Sequence, residues 1–117
     1  MRVASTMKGS SSTRISSSAV VWVNGREATV VQIASDGRMS TFEISRGWLP
    51  ETPFLVQIVR VIGDQKRLLI LGPGSIRLAL EREYASMFPR PKRLVEVEAC
   101  GAVDITQLAD RIRAFAT

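Results

Sequence analysis

Hydrophobic and polar positions change period several times along the chain, and each change marks an element. Ala19-Val20-Val21-Trp22-Val23 is a short run of β-branched and aromatic residues that stops at Asn24-Gly25. That dipeptide readily takes positive φ and closes hairpins. Glu27-Ala28-Thr29-Val30-Val31-Gln32-Ile33 follows as a second strand, with a further turn signal at Asp36-Gly37. From Arg38 to Ile44 the pattern alternates, setting Met39, Thr41 and Glu43 opposite Ser40, Phe42 and Ile44. Three strands joined by two tight turns make a β-meander.

Ser45–Glu51 contains Gly47 and Pro50 and reads as a loop. Thr52-Pro53 then has the form of an N-cap followed by a proline at the first helical position. Apolar residues at 54, 55, 58, 59 and 62 keep a helical period, and Gly63 is the stop signal. Val56, Val59 and Val61 favour strand, so period and propensity compete here. Arg67-Leu68-Leu69-Ile70-Leu71 has the unbroken apolar character of a strand buried on both faces. Gly72-Pro73-Gly74-Ser75 reads as a tight turn that needs glycine for close backbone packing, with Ser75 capping the next helix. That helix carries the stripe Ile76, Ala79, Leu80, Tyr84 and Met87 and ends before Pro89 and Pro91. Leu94-Val95-Glu96-Val97-Glu98 is the last strand, Gly101 turns the chain, and Asp104 caps a helix facing inward with Ile105, Leu108, Ile112 and Phe115. The order β-β-β-α-β-α-β-α predicts an α/β fold, a mixed sheet of five strands with helices on its faces.

Composition narrows the chemistry more than the architecture. At 117 residues, 45% hydrophobic and 23% charged, the chain suits one soluble globular domain. It has no histidine, which excludes Ser-His-Asp and Cys-His catalysis and any His-containing zinc site. A single cysteine, Cys100, permits neither an intrachain disulfide nor a thiolate cluster, and with no basic neighbour in sequence it reads as inert. No apolar run approaches the roughly 20 residues of a membrane span. The segment Met1–Ser18 holds seven serines, two threonines, Arg2, Lys8 and Arg14 and no acid. It is too polar to offset its ordering entropy and reads as a disordered basic tail ahead of a domain over 19–117. It lacks the apolar core of a secretory signal, so a cytoplasmic protein is expected.

Four features could carry function. Lys66-Arg67 and Arg90-Pro91-Lys92-Arg93 each precede a strand, and parallel neighbours start at the same end of a sheet. Lys66, Arg67, Arg90, Lys92 and Arg93 would then form one basic rim, either an electrostatic footprint for phosphate backbone or a solubilising border to apolar strands. The helix start at Gly72, Gly74, Ser75 and Ile76 could hold a small anion, although it lacks the Lys-Ser/Thr of a P-loop. In the loop Arg46-Gly47-Trp48-Leu49-Pro50, Arg46 and Trp48 offer a contact anchor if exposed, or Trp48 covers the end of the first helix. Two-metal nucleases built on mixed sheets need an acid on the first strand, where this chain has Ala-Val-Val-Trp-Val. Glu27 and Glu43 lie on later strands and read as solvated, so no metal is expected.

Val21-Trp22-Val23-Asn24-Gly25-Arg26-Glu27-Ala28 resembles the opening hairpin of small bacterial proteins related to the archaeo-eukaryotic release factors. Leu69-Ile70-Leu71-Gly72-Pro73-Gly74 is similar to the strand-to-turn junction of that family and of Pelota. Val95-Glu96-Val97-Glu98-Ala99 and Asp104-Ile105-Thr106-Gln107-Leu108 resemble its last strand and helix. The resemblance spans about residues 19–115 and concerns the middle domain alone. It implies a ribonuclease H-like fold and a place in translation. It also marks differences. Release factors carry a Gly-Gly-Gln tripeptide in the loop that corresponds to Ser45–Glu51, which here has one glycine and no glutamine. Where relatives often have an acid-His pair in the first turn, this chain has Asn24-Gly25. The expectation is a protein without catalytic residues or cofactor that binds the ribosome or structured RNA, with no membrane partner. The alternatives are a protein-interaction or homodimer module using a sheet edge or Trp48, and a small-anion binder at the Gly-Pro-Gly turn.

Overall fold

The computed structural model describes residues 18–116. Its elements follow the expected order: β1 (Ser18–Val23), β2 (Glu27–Ile33), β3 (Met39–Ser45), α1 (Glu51–Ile62), β4 (Arg67–Gly72), α2 (Ile76–Met87), β5 (Leu94–Ala99) and α3 (Ile105–Ala116). Ser18, assigned by composition to the tail, is instead the first residue of β1 and is buried opposite Ile33 and Arg67. The rest of the expected disordered tail lies outside the described residues.

The sheet runs β3-β2-β1-β4-β5, antiparallel along the meander and parallel from β1 through β4 to β5. Alternation along each central strand builds two cores. Ala19, Val21, Val23, Leu68 and Ile70 face α1 and α2, meeting Phe54, Ile58, Ile62, Leu80 and Tyr84. Val20, Trp22, Leu69 and Leu71 face α3, meeting Leu108 and Ile112. Residues 68–71 of β4 are therefore all apolar because both faces of the strand are covered. Burial decides α1 as well: its five periodic apolar residues are all in the core, which outweighs the strand preference of its valines.

Several local expectations need correction. α1 begins at Glu51 with Pro50 in the cap position, so Thr52 caps nothing and Pro53 lies within the first turn. Gly25 is not among the positive-φ glycines; the β1–β2 turn is closed by the Asn24 side chain, whose Oδ1 accepts from the Arg26 and Glu27 N–H groups at 2.8 and 2.9 Å. Ser75 occupies the cap position of α2 without a side-chain hydrogen bond. Ile105, expected on the inward face of α3, is exposed; burial on that helix begins at Leu108. Asp104 does cap α3, in a reciprocal box: its Oδ1 accepts from Gln107 N–H and its own N–H donates to Gln107 Oε1, both at 2.8 Å.

A candidate nucleic-acid interface at the basic rim

Parallel pairing sets Arg67 opposite Leu94, so the connections entering β4 and β5 arrive side by side. One leaves α1 through Gly63, whose φ of +71° turns the chain while its N–H caps Val59 O at 2.9 Å. The other leaves α2 at Phe88. Leu94 N–H donates to Lys66 O at 3.2 Å and joins them. Between them opens a cleft of about 470 Å³ lined by Asp64, Gln65, Lys66, Arg90, Pro91, Lys92 and Arg93.

The five basic residues gathered at this rim have different surroundings. The Arg93 side chain is only 3% exposed. Its guanidinium stacks over the Tyr84 ring at 4.8 Å and donates to Tyr84 Oη (2.6 Å), Phe88 O (3.0 Å), Asp64 Oδ1 (2.7 Å) and the Gln65 carbonyl. All that hydrogen bonding makes Arg93 a structural strut. Arg90 grips Asp64 from outside, with Nη2 to Oδ2 at 2.6 Å and Nε to Oδ1 at 3.0 Å, and its side chain stays 63% exposed. The Arg90 hydrogen bond, joined by Arg93, holds the Asp64 carboxyl below the usual carboxylate range against an opposing effect of burial. Arg67 turns to the other face, over the Phe115 ring at 5.3 Å. Lys66 and Lys92 are exposed and form no salt bridge among the described residues.

Sequence reasoning missed Asp64, Gln65 and Tyr84. Tyr84 Oη donates to Gly63 O at 2.9 Å and accepts from Gln65 N–H at 3.0 Å and from Arg93, which uses its full bonding capacity. Burial raises its pKa. Gln65 Nε2 caps Ile62 O at 2.7 Å, and Gln32 Nε2 caps Val61 O at 2.8 Å. The end of α1 is thus fixed by side chains from three other parts of the chain. Tyr84 fits a helical stripe whether or not its hydroxyl is used, so sequence carries no sign of this role. An acid two residues before Lys66 was the one visible signal for Asp64.

The other two candidate places lie at the opposite end of the sheet. Gly72 sits where a Cβ would come within 2.0 Å of Val23 O, so its glycine serves close packing of β4 on β1. Gly74 O accepts from Arg77, and Ser75 and Ile76 open α2 beyond it. Trp48 does not cover α1, as one reading expected; it is 101% exposed at the tip of the β3–α1 loop. Among the described residues no group of His, Cys, Asp and Glu could hold a metal ion, and no helix is long and apolar enough to cross a membrane.

A meander feeding two parallel crossovers, with helices on both faces of a five-stranded mixed sheet, is a ribonuclease H-like arrangement. Among solved structures it resembles in fold a part of Pelota and of Dom34, the latter described as a translation termination-like factor. Pelota from Archaeoglobus fulgidus superposes with a TM-score of 0.60 at 14% identity, over 84% of this chain and 31% of that one. Pelota from Thermoplasma acidophilum gives 0.59 at 18% identity, over 88% and 34%. Dom34 from S. cerevisiae gives 0.57 at 15% identity, over 82% and 31%. This chain therefore spans about a third of the length of each, and the likeness is one of fold. No family model and no curated protein matches the sequence.

Proposed function

We propose that this protein is a non-catalytic, cytoplasmic, translation-associated factor that binds the ribosome or structured RNA through the cleft between the β4 and β5 connections. The observation that carries the reading is the pair of ammonium groups, Lys66 and Lys92, that form no salt bridge among the described residues, in a cleft where Arg90 adds further positive charge. Among the described residues that line the cleft, Asp64 is the one acid. Lysines free of ion pairs contribute counterion release on meeting phosphate without first breaking a bond. Such contacts position a partner and read no sequence. The fold supports the same direction, since its solved neighbours include a termination-like factor described as involved in RNA quality control. The loop Ser45–Glu51, with no glutamine, offers no counterpart of a hydrolytic tripeptide.

Co-sedimentation with ribosomes at two salt concentrations tests the reading. Retention is expected to fall steeply with salt, and Lys66→Ala/Lys92→Ala is expected to reduce the log–log salt slope by about one to two. Salt-insensitive retention, or an unchanged slope in the double variant, would overturn it and favour an apolar protein interface.

A further inference from the structure

We propose that the turn Arg46–Leu49 is a stacking site for one unpaired RNA base, with the Trp48 indole as platform and Arg26 as its phosphate contact. This rests on RNA being the partner, but uses residues at the other end of the molecule. Both faces of the Trp48 ring are open to water, whereas Trp22 is buried with Nε1–H donated to Gly101 O at 2.8 Å. The exposed ring is held on a stiff support. Leu49 N–H donates to Arg46 O at 3.0 Å and closes the turn, and Gly47 supplies a φ of +56°. Arg46 locks it to the neighbouring hairpin: its N–H donates to Arg26 O at 2.9 Å and its Nη1 to Gly25 O at 3.0 Å. Its Nε donates to Leu49 O at 2.7 Å, and its guanidinium rests 5.8 Å from the centre of the Phe54 ring. The backbone carrying Trp48 is therefore ordered before any partner arrives, which lowers the entropy cost of binding.

The surroundings favour a base over a protein pocket. Protein anchors sit inside a ring of apolar contacts that excludes water. Here the apolar neighbours are only the exposed Leu49 and Pro50, and the rest of the surroundings is polar or small: Ser45, Gly47, Glu51 and, across the hairpin, Gly25, Arg26 and Glu27. The remaining large exposed hydrophobics, Phe42, Leu78, Leu94 and Ile105, belong to β3, α2, β5 and α3. Arg26 is exposed and forms no salt bridge among the described residues. An open ring on a turn whose Arg46 is bonded to the backbone of exposed Arg26 suits a nucleotide, with the base on Trp48 and a phosphate within reach of the Arg26 side chain.

The test follows tryptophan emission of the full chain titrated with a short oligouridylate and with an abasic oligomer of equal length. Oligouridylate is expected to quench Trp48 and the abasic oligomer to leave it unquenched. Trp48→Ala is expected to weaken oligouridylate binding about tenfold without changing the salt slope, and Trp48→Phe to keep most of the affinity. Lys66→Ala/Lys92→Ala is expected to lower the slope yet retain the quench at saturation. If Trp48→Ala binds like the parent while the lysine variant weakens, the stacking site is refuted and the rim stands. Equal losses for both oligomers, or a Trp48-dependent change in self-association alone, would also overturn it. Absence of binding by every variant at low salt would remove the rim and the stacking site together.

Discussion

Asp64 is the residue on which the rim's chemistry turns. Its carboxylate joins an exposed guanidinium, Arg90, to a buried one, Arg93, and so occupies the place a phosphate oxygen would take on Arg90. Because Arg90 and Arg93 depress its pKa, the stability it contributes is intact above the ordinary value of 3.8 and is lost as pH falls below that. Asp64→Asn is therefore expected to lower the urea midpoint at neutral pH and to flatten its decline in acid. The same change releases Arg90, so RNA affinity is expected to rise and the salt slope to steepen by about one phosphate contact. Measuring midpoint and slope on the same variant separates the two roles. A variant with lower stability and unchanged slope would confine Asp64 to holding Arg93.

At the scale of elements, the junction between β4 and α2 depends on one glycine more than on the motif around it. An alanine Cβ at Gly72 would collide with the Val23 carbonyl at 2.0 Å, and backbone on the neighbouring strand cannot give way. At Gly74 nothing lies within 4 Å, and alanine there would meet only the strain of a φ of +65°. Gly74→Ala is expected to cost about 1–2 kcal/mol and leave a folded protein. Gly72→Ala is expected to cost several times more, or to abolish soluble expression; thermal denaturation of both variants checks the contrast. Similar losses at the two positions would show that β1 and β4 can separate without penalty.

For the whole molecule, the sheet keeps the two proposed contacts apart. The basic rim lies where β1, β4 and β5 begin, and Trp48 lies where β1 ends, about 20 Å along a six-residue strand. Sites that far apart, sharing no partner, should contribute independently. Combining Trp48→Ala with Lys66→Ala/Lys92→Ala is expected to multiply the separate losses in oligonucleotide affinity. A combined loss equal to the larger single effect would mean that one contact forms only through the other.

The alternation and period of apolar residues were enough to order all eight elements, because burial on a sheet face or helix stripe is a local, repeating demand. They were also enough to bring Lys66 and Lys92 to one rim, since parallel strands must start together. Turn and cap chemistry was less legible: Asn24 acts through its side chain, Ser75 stands at the cap position without a side-chain hydrogen bond, and Thr52 lies inside its helix, because several residue types satisfy the same sequence signal. Only the tertiary structure decided which charges stay unpaired. Arg93 lies beside Lys92 in sequence, yet the turn before β5 sets one over Tyr84 and leaves the other in water. Exposure of Trp48 was equally a tertiary outcome, fixed where Arg46 bonds Gly25 O across the hairpin and Leu49 O within its own turn.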